Sequence, residues 1–189
     1  MTIAAPAVPT ATVLFTFIDS PIGELLVSGE RTDDTMTITG LYIPGHDRRP
    51  GPDWVQADHE FAELRQQLDE YFAGERRDFD LRANAPGTPF QRLVWDELRR
   101  IEYGHTASYG EVALNIGAPT ASRAVGGANG RNPISIIVPC HRVVGSNGLL
   151  TGYAGGLTAK SWLLGHERRH LGVESGGVST AAAELPFPA

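Results

Sequence analysis

The chain's one cysteine, Cys140, stands in the run Pro139-Cys140-His141-Arg142, and no other stretch gathers as much reactive chemistry. A thiolate is a potent nucleophile, and nearby positive charge raises the thiolate fraction. Two basic side chains follow Cys140 directly, and His166 and Glu167 lie on a later helical stretch that can fold back toward it. The competing reading is an inert core thiol, the commonest fate of a free cysteine. Neighbouring side chains of an extended segment point to opposite sides, so His141 is not expected to touch the sulfur. A bridging water is the natural relay, with Glu167 holding the other imidazole nitrogen. Cysteine proteases draw their histidine from a distant part of the chain, which argues against a hydrolase. One cysteine also excludes an internal disulfide framework and any multi-cysteine zinc site. No metal and no cofactor are expected, and a free thiol points to the cytoplasm.

The elements that must position Cys140 lie on both sides of it. Thr88-Pro89-Phe90-Gln91 is a strong helix start, with a capping threonine, proline at the first helical position and glutamine three residues after the cap. Phe90, Leu93, Val94, Leu98 and Ile101 mark its buried face, and Tyr103-Gly104 is expected to end it. Ser108-Tyr109-Gly110-Glu111 repeats the capping box and opens a short helix through Ile116. After the turn Gly117-Ala118-Pro119, Thr120 or Ala121 begins another helix reaching about Asn129. Two short helices around a Gly-containing turn form a helix-turn-helix pattern, with Arg123 where a recognition helix presents side chains to a groove. Ile134, Ile136, Ile137 and Val138 read as a buried strand ended by Pro139, which places Cys140 at a strand end. Val143-Val144, the turn Gly145 to Gly148 and Leu149-Leu150 resemble a small hairpin or wing, and a last helix spans roughly Thr158 to Arg169.

The first half reads as an α/β unit over residues 13–84. Val13 to Ile18 is β-rich and ends in the turn cluster Asp19 to Gly23. Leu25-Leu26-Val27 and Met36 to Ile43 follow as strands of an antiparallel meander. A helix then carries Phe61, Leu64, Leu68, Tyr71 and Phe72 on one face and closes at Gly74. Nothing in this half carries obvious chemistry. Residues 1–12 are expected to form a flexible arm lacking the features of a signal peptide, and 173–189 a disordered tail.

At 189 residues, 41% hydrophobic and 20% charged, the chain reads as one or two ordinary globular domains. No apolar run approaches the roughly 20 residues that a membrane span needs. The net charge of −6 looks wrong for a nucleic-acid binder until its distribution is considered. From Pro119 to Val173, Arg123, Arg131, Arg142, Lys160, Arg168 and Arg169 face Glu167 alone, giving +5 there and −11 elsewhere. Such a local basic region can meet phosphates.

Several segments together closely resemble the methylated-DNA–protein-cysteine methyltransferases, the O(6)-alkylguanine-DNA alkyltransferases. They are Ser122 to Asn129, Asn132-Pro133, Ile137 to Val144, and Gly152-Tyr153-Ala154-Gly155-Gly156-Leu157 with Lys160, Trp162, Leu163, Leu164 and Glu167. Weaker similarity, notably Phe17 to Gly23, runs through the first half. The resemblance implies two domains: an N-terminal ribonuclease-H-like α/β unit with a small antiparallel sheet, and a mainly helical, winged helix-turn-helix-like domain over residues 88–172. It implies irreversible transfer of a methyl or other alkyl group from O(6) of guanine, and from O(4) of thymine, to Cys140, with the nucleotide flipped out. In that scheme His141 is the water-linked base, Glu167 its partner and Asn132 the hinge between recognition element and active-site segment. Arg123 fills the gap left in the duplex, and Tyr109 presses on the flipped nucleotide's phosphate and ring. Thr120, Ser122, Ala124, Gly126 and Arg142 join the DNA-binding set. Val143, Tyr153, Ala154 and Asn129 line the pocket. Asn129 and Ala154 stand where some relatives carry methionine and serine, which bears on pocket size. The N-terminal zinc site of some relatives cannot form here. The expected partner is double-stranded DNA containing alkylated guanine, met by a protein that is a monomer in solution and open to cooperative binding on DNA, with no membrane involved.

Two other classes compete: a non-catalytic helix-turn-helix module that only recognises damage, and a cysteine hydrolase. Taken singly, each residue also has a plain reading. Arg123 can be a solvated helix residue, Tyr109 a packing residue, Glu167 a surface acid, and Asn132 before Pro133 ordinary turn chemistry.

Overall fold

In the computed structural model, which describes residues 12–32 and 35–171, the meander is present and longer than expected. Strand β1 (Val13–Ile18) pairs antiparallel with β2 (Leu25–Thr32), and β2 with β3 (Thr35–Tyr42). Gly23, at φ +100°, closes the turn between β1 and β2 through its N–H to the Ser20 carbonyl (2.9 Å), a conformation that favours glycine. A short strand β4 (Val55–Gln56), not foreseen, lies parallel to β1, so the sheet order is β3-β2-β1-β4. A single 3-10 turn at Asp58–Phe61 leads into helix α1 (Ala62–Ala73), which buries Leu64, Gln67, Leu68 and Tyr71 and ends at the left-handed Gly74.

The second half is mostly helical. Helix α2 (Pro89–Leu98) carries the full capping box at Thr88 and Gln91, and it stops at Leu98 rather than continuing to Tyr103. Strand β5 (Ala107–Ser108) leads directly into α3 (Tyr109–Asn115), where Ser108 and Glu111 form the second capping box. Helix α4 (Ser122–Asn129) follows across the Gly117–Pro119 turn, completing the helix-turn-helix. The Trp95 indole on α2 donates to the Ala128 carbonyl (2.9 Å) and locks that pair. Helix α5 (Gly156–Leu171) closes the described chain.

Two expectations around the cysteine are corrected. Ile134 to Val138 is not a strand. The N–H of Val138 returns to the Ile134 carbonyl and that of Ile137 to Ser135 (both 2.9 Å), and Ile136 takes φ +71°. The segment thus folds on itself, and Cys140 opens a 3-10 turn, Cys140–Arg142. Nor do Val143-Val144 and Leu149-Leu150 form a paired hairpin. Strand β6 (Val143–Val144) pairs in parallel with β5, while the Gly145 to Gly148 turn closes through Gly145 N–H to Leu149 O (2.9 Å).

The two halves share one core, and the edge of β3 joins them. Leu41 donates to Pro133 O (2.8 Å) and accepts from Ser135 N–H (2.9 Å), so the segment before the cysteine docks as a short extension of the N-terminal sheet. Ile38 is bracketed in the same way by Arg82 and Asn84. Ile18, Leu41, Tyr71, Trp95, Val125, Ile134, Val143 and Leu163 belong to a single buried cluster. The architecture is the two-domain α/β arrangement, small antiparallel-rich sheet and helical unit, that the resemblance implies. The arm before Thr12 and the tail over 173–189 lie outside the described residues.

Candidate active site

Cys140 is buried, and the turn it opens carries His141 and Arg142 inward with it. Helix α5 supplies the partner for both. Glu167, wholly buried, accepts at Oε1 from His141 Nε2 (2.8 Å), Arg142 Nη2 (2.9 Å) and the Tyr71 hydroxyl (2.8 Å). At Oε2 it accepts from Arg142 Nε (3.0 Å) and the Gly104 N–H (2.9 Å). Burial alone would push this carboxyl up. Hydrogen bonds from His141 and Arg142, with the positive charge of Arg142, outweigh burial and hold it well below the usual carboxylate range. An ionised carboxylate only accepts, so the proton of neutral His141 sits on Nε2 and the lone pair on Nδ1. Nδ1 is buried and makes no hydrogen bond within the protein. Burial also pulls the imidazole's pKa down, against the opposing pull of Glu167, so His141 is neutral and available as a base.

The thiol itself is not activated by charge in the way its sequence neighbours suggest. Burial pushes Cys140 up, with Asn132, Lys160 and Ser135 opposing that shift. The resting group is a protonated thiol that needs a base at the moment of reaction. Because His141 turns its Nε2 edge to Glu167, the free Nδ1 edge is the one available for a relay to the sulfur.

The remaining site residues fall into groups. Asn132 is a buried brace: Nδ2 donates to Val138 O (2.8 Å) and Oδ1 accepts from Ile134 N–H (3.0 Å), which ties the end of the helix-turn-helix to the cysteine segment. Asn129, at the end of α4, donates to the Cys140 carbonyl (3.3 Å). Lys160 is fully buried, with Nζ donating to Val143 O (2.6 Å) and Thr151 O (2.8 Å), and it clips strand β6 to the following loop. Tyr153 lies on that loop with a buried hydroxyl, its pKa raised well above normal by burial and then by the neighbouring Cys140. Ala154 packs so closely on Gly45 that a Cβ there would meet its carbonyl at 2.8 Å. Tyr109 is the first residue of α3, half-buried, with its hydroxyl accepting from Thr151 Oγ1 (3.3 Å). Arg123, Thr120 and Ala124 are exposed on the outer face of the helix-turn-helix, with Ser122 and Gly126 partly covered beside them.

One expected DNA contact is not available. Arg142 is buried, committed to Glu167 and to the Ile101 carbonyl (2.6 Å), so it cannot reach a phosphate. Lys160 is likewise internal. The surface charge of the basic stretch therefore rests on Arg123, Arg131, Arg168 and Arg169. The first half, in which nothing carries obvious chemistry, still reaches the candidate site, because Tyr71 on α1 bonds the Glu167 carboxylate. A tyrosine on a predicted buried face was the available signal, since its hydroxyl needs a partner inside.

Comparison with known proteins identifies the family. The family model for the 6-O-methylguanine DNA methyltransferase ribonuclease-like domain matches residues 13–84, and that for the DNA binding domain matches residues 89–169. The methylated-DNA–protein-cysteine methyltransferase of Methanosarcina acetivorans is 49% identical over 151 residues, 79% of this chain and 95% of that one. The constitutive enzyme of Bacillus subtilis is 46% identical over 160 residues, 82% of this chain and 94% of that one. The crystal structure of the Mycobacterium tuberculosis O6-methylguanine methyltransferase superposes with a TM-score of 0.75 at 46% identity, covering 84% of this chain and 94% of that one. A structure of the same organism's protein in complex with DNA gives 0.76 at 45% identity, covering 83% and 94%. The chain belongs to the methylated-DNA–protein-cysteine methyltransferase family.

Proposed function

We propose that the protein repairs double-stranded DNA by moving a methyl or larger alkyl group from O(6) of guanine, or O(4) of thymine, onto Cys140, once per molecule. The observation that carries this reading is the buried Cys140–His141–Glu167 arrangement, with the imidazole proton fixed on Nε2 and Nδ1 left as the base. The Sγ–carbon bond forms as the carbon–oxygen bond breaks, and the electron pair leaves with the base oxygen. The thiol proton passes through water to His141 Nδ1 and is finally accounted for on the restored base. No cofactor is needed to balance this step. The thioether product has no easy reversal, so the protein is consumed.

A buried sulfur cannot reach a base within the helical stack, so the nucleotide must be extruded. Arg123, exposed in the first turn of α4, would fill the gap, and Tyr109, beside Gly126 and tied to Thr151, would hold the extruded nucleotide. Asn129, on the Cys140 carbonyl, and Tyr153, beside the thiol, would line the base pocket together with Val143 and Ala154. In this reading the protein acts as a monomer, and its free thiol suits the cytoplasm.

Incubation of the full chain with duplex DNA carrying O(6)-methylguanine tests the reading. Intact mass is expected to rise by one methyl group per molecule, and the Cys140→Ala variant to gain nothing while still binding DNA. No mass gain in the unmodified protein would overturn the proposal. The same measurement with O(4)-methylthymine decides the second substrate.

A further inference from the structure

We propose that Tyr71, from the N-terminal domain, is a positioning residue of the transfer reaction: its hydroxyl holds the Glu167 oxygen against which His141 is aligned. The inference rests on the reading above, in which His141 Nδ1 is the base, and extends it to the domain that carries no reacting atom.

Helix α5 grips Tyr71 at both ends. The backbone carbonyl of Tyr71 bonds His166 Nε2 (2.8 Å), and its hydroxyl donates to Oε1 of the next residue, Glu167 (2.8 Å). The ring is walled by Phe79 at 5.5 Å, Tyr103 at 5.9 Å and His166 at 5.4 Å between centroids, and the residue is fully buried. So constrained, the hydroxyl has one partner, and that partner is the oxygen to which His141 donates. Burial, and then Glu167, keep the phenol protonated across the working range, so it always donates. Gly104 N–H and Arg142 Nε hold the other oxygen, and Arg142 Nη2 also reaches Oε1 (2.9 Å). Beside Arg142, Tyr71 is the contact from the N-terminal domain that helps set how much of the Oε1 charge is left for the imidazole.

Removal of that hydroxyl has a definite sign. Oε1 loses a donor, becomes a stronger acceptor toward His141, and favours the imidazolium. The other groups around His141 and Glu167 are Arg142, Lys160, Tyr103, Tyr153 and His166, with Arg77 and Arg169 around Tyr103; none is changed by Tyr71→Phe. Transfer requires neutral His141, so the acid limb of its pH profile should move upward. Loss of one hydrogen bond to a charged group corresponds to a shift of about one pH unit.

The test compares the full-length protein with its Tyr71→Phe variant. Single-turnover transfer from O(6)-methylguanine duplex is measured from pH 5 to 8.5, and the His141 Nε2–H resonance is followed in 15N-histidine-labelled protein. The expected results are an upward shift of the acid limb by about one unit, a transfer rate several-fold lower at the acidic end, and a downfield move of the Nε2 proton. Phe72→Leu, which disturbs the same helix without touching Glu167, should leave both readouts in place. A uniform slowing with an unmoved limb and unmoved proton would overturn the proposal, as would an equal shift in Phe72→Leu. Failure of the wild type to transfer would overturn the transfer reading instead, and the Nε2 proton, which needs no DNA, would still decide whether Tyr71 governs His141.

Discussion

In the proposed transfer, His141 serves as the base because of where its proton cannot go. Glu167 accepts only, so Nε2 must carry the hydrogen, and the free lone pair is left on the edge available to the thiol. Cys140, His141 and Glu167 were legible from residue type and spacing, but the fate of Arg142 was not. A charged residue beside a cysteine reads equally well as a phosphate contact or a buried counter-ion, and only the return of α5 decides between them. The turn at Cys140 hid for a related reason: apolar β-branched residues fill a strand and an irregular buried segment alike. What distinguishes the latter here is Asn132, whose side chain takes the place of a neighbouring strand. Asn132→Ala would leave the Val138 carbonyl and the Ile134 N–H buried without these partners. The expected cost is about 2–4 kcal/mol in urea unfolding. Transfer should slow at least tenfold in protein still folded by circular dichroism, because Cys140 lies two residues beyond the released carbonyl.

At the scale of elements, the helices were the legible part, since their start signals are local. Both capping boxes, Thr88 with Gln91 and Ser108 with Glu111, form as the sequence indicates. Strands β4, β5 and β6 are two residues each and owe their existence to distant partners, β1 for the first and each other for the rest, so no local periodicity announces them. The second capping box also has a functional side. Ser108 closes β5 and caps α3, and the first residue after the cap is Tyr109. Ser108→Ala removes the acceptor of the Glu111 N–H (3.2 Å) and should cost about 1 kcal/mol in thermal or urea unfolding. It frees the backbone turn that aims Tyr109, so transfer from duplex DNA should fall several-fold. Alkylation of Cys140 by iodoacetamide, which needs no extruded nucleotide, should be unchanged. Ser108→Asp, which can still cap, should restore both stability and transfer.

At the scale of the molecule, the N-terminal domain is a mould for the site in the other half. The edge of β3 holds the Pro133 to Ser135 backbone, Gly45 receives the Ala154 carbonyl, and Tyr71 reaches Glu167. Such contacts between residues far apart in sequence were invisible in a chain read locally, which made the first half look inert. They also make unfolding a property of the whole. His141 and His166 are held below the ordinary imidazole value, chiefly by burial, and Glu167 is held well below the carboxylate range by its partners. In each case the unfolded chain binds protons more readily than the folded one. Their contribution is therefore complete above the unfolded values and declines as pH falls, first below 6.5 for the histidines and then below 4.5 for Glu167. Urea unfolding followed by Trp54 in the first half and by Trp95 and Trp162 in the second should give one shared transition at each pH, with stability falling in those two stages. In Glu167→Gln the stage below 4.5 should flatten. Stability at neutral pH should also drop by about 3–5 kcal/mol, because Arg142 is left buried without its carboxylate. Separate transitions for the two halves, or an unchanged acid stage in the variant, would show that Glu167 does not bind the domains into one cooperative unit.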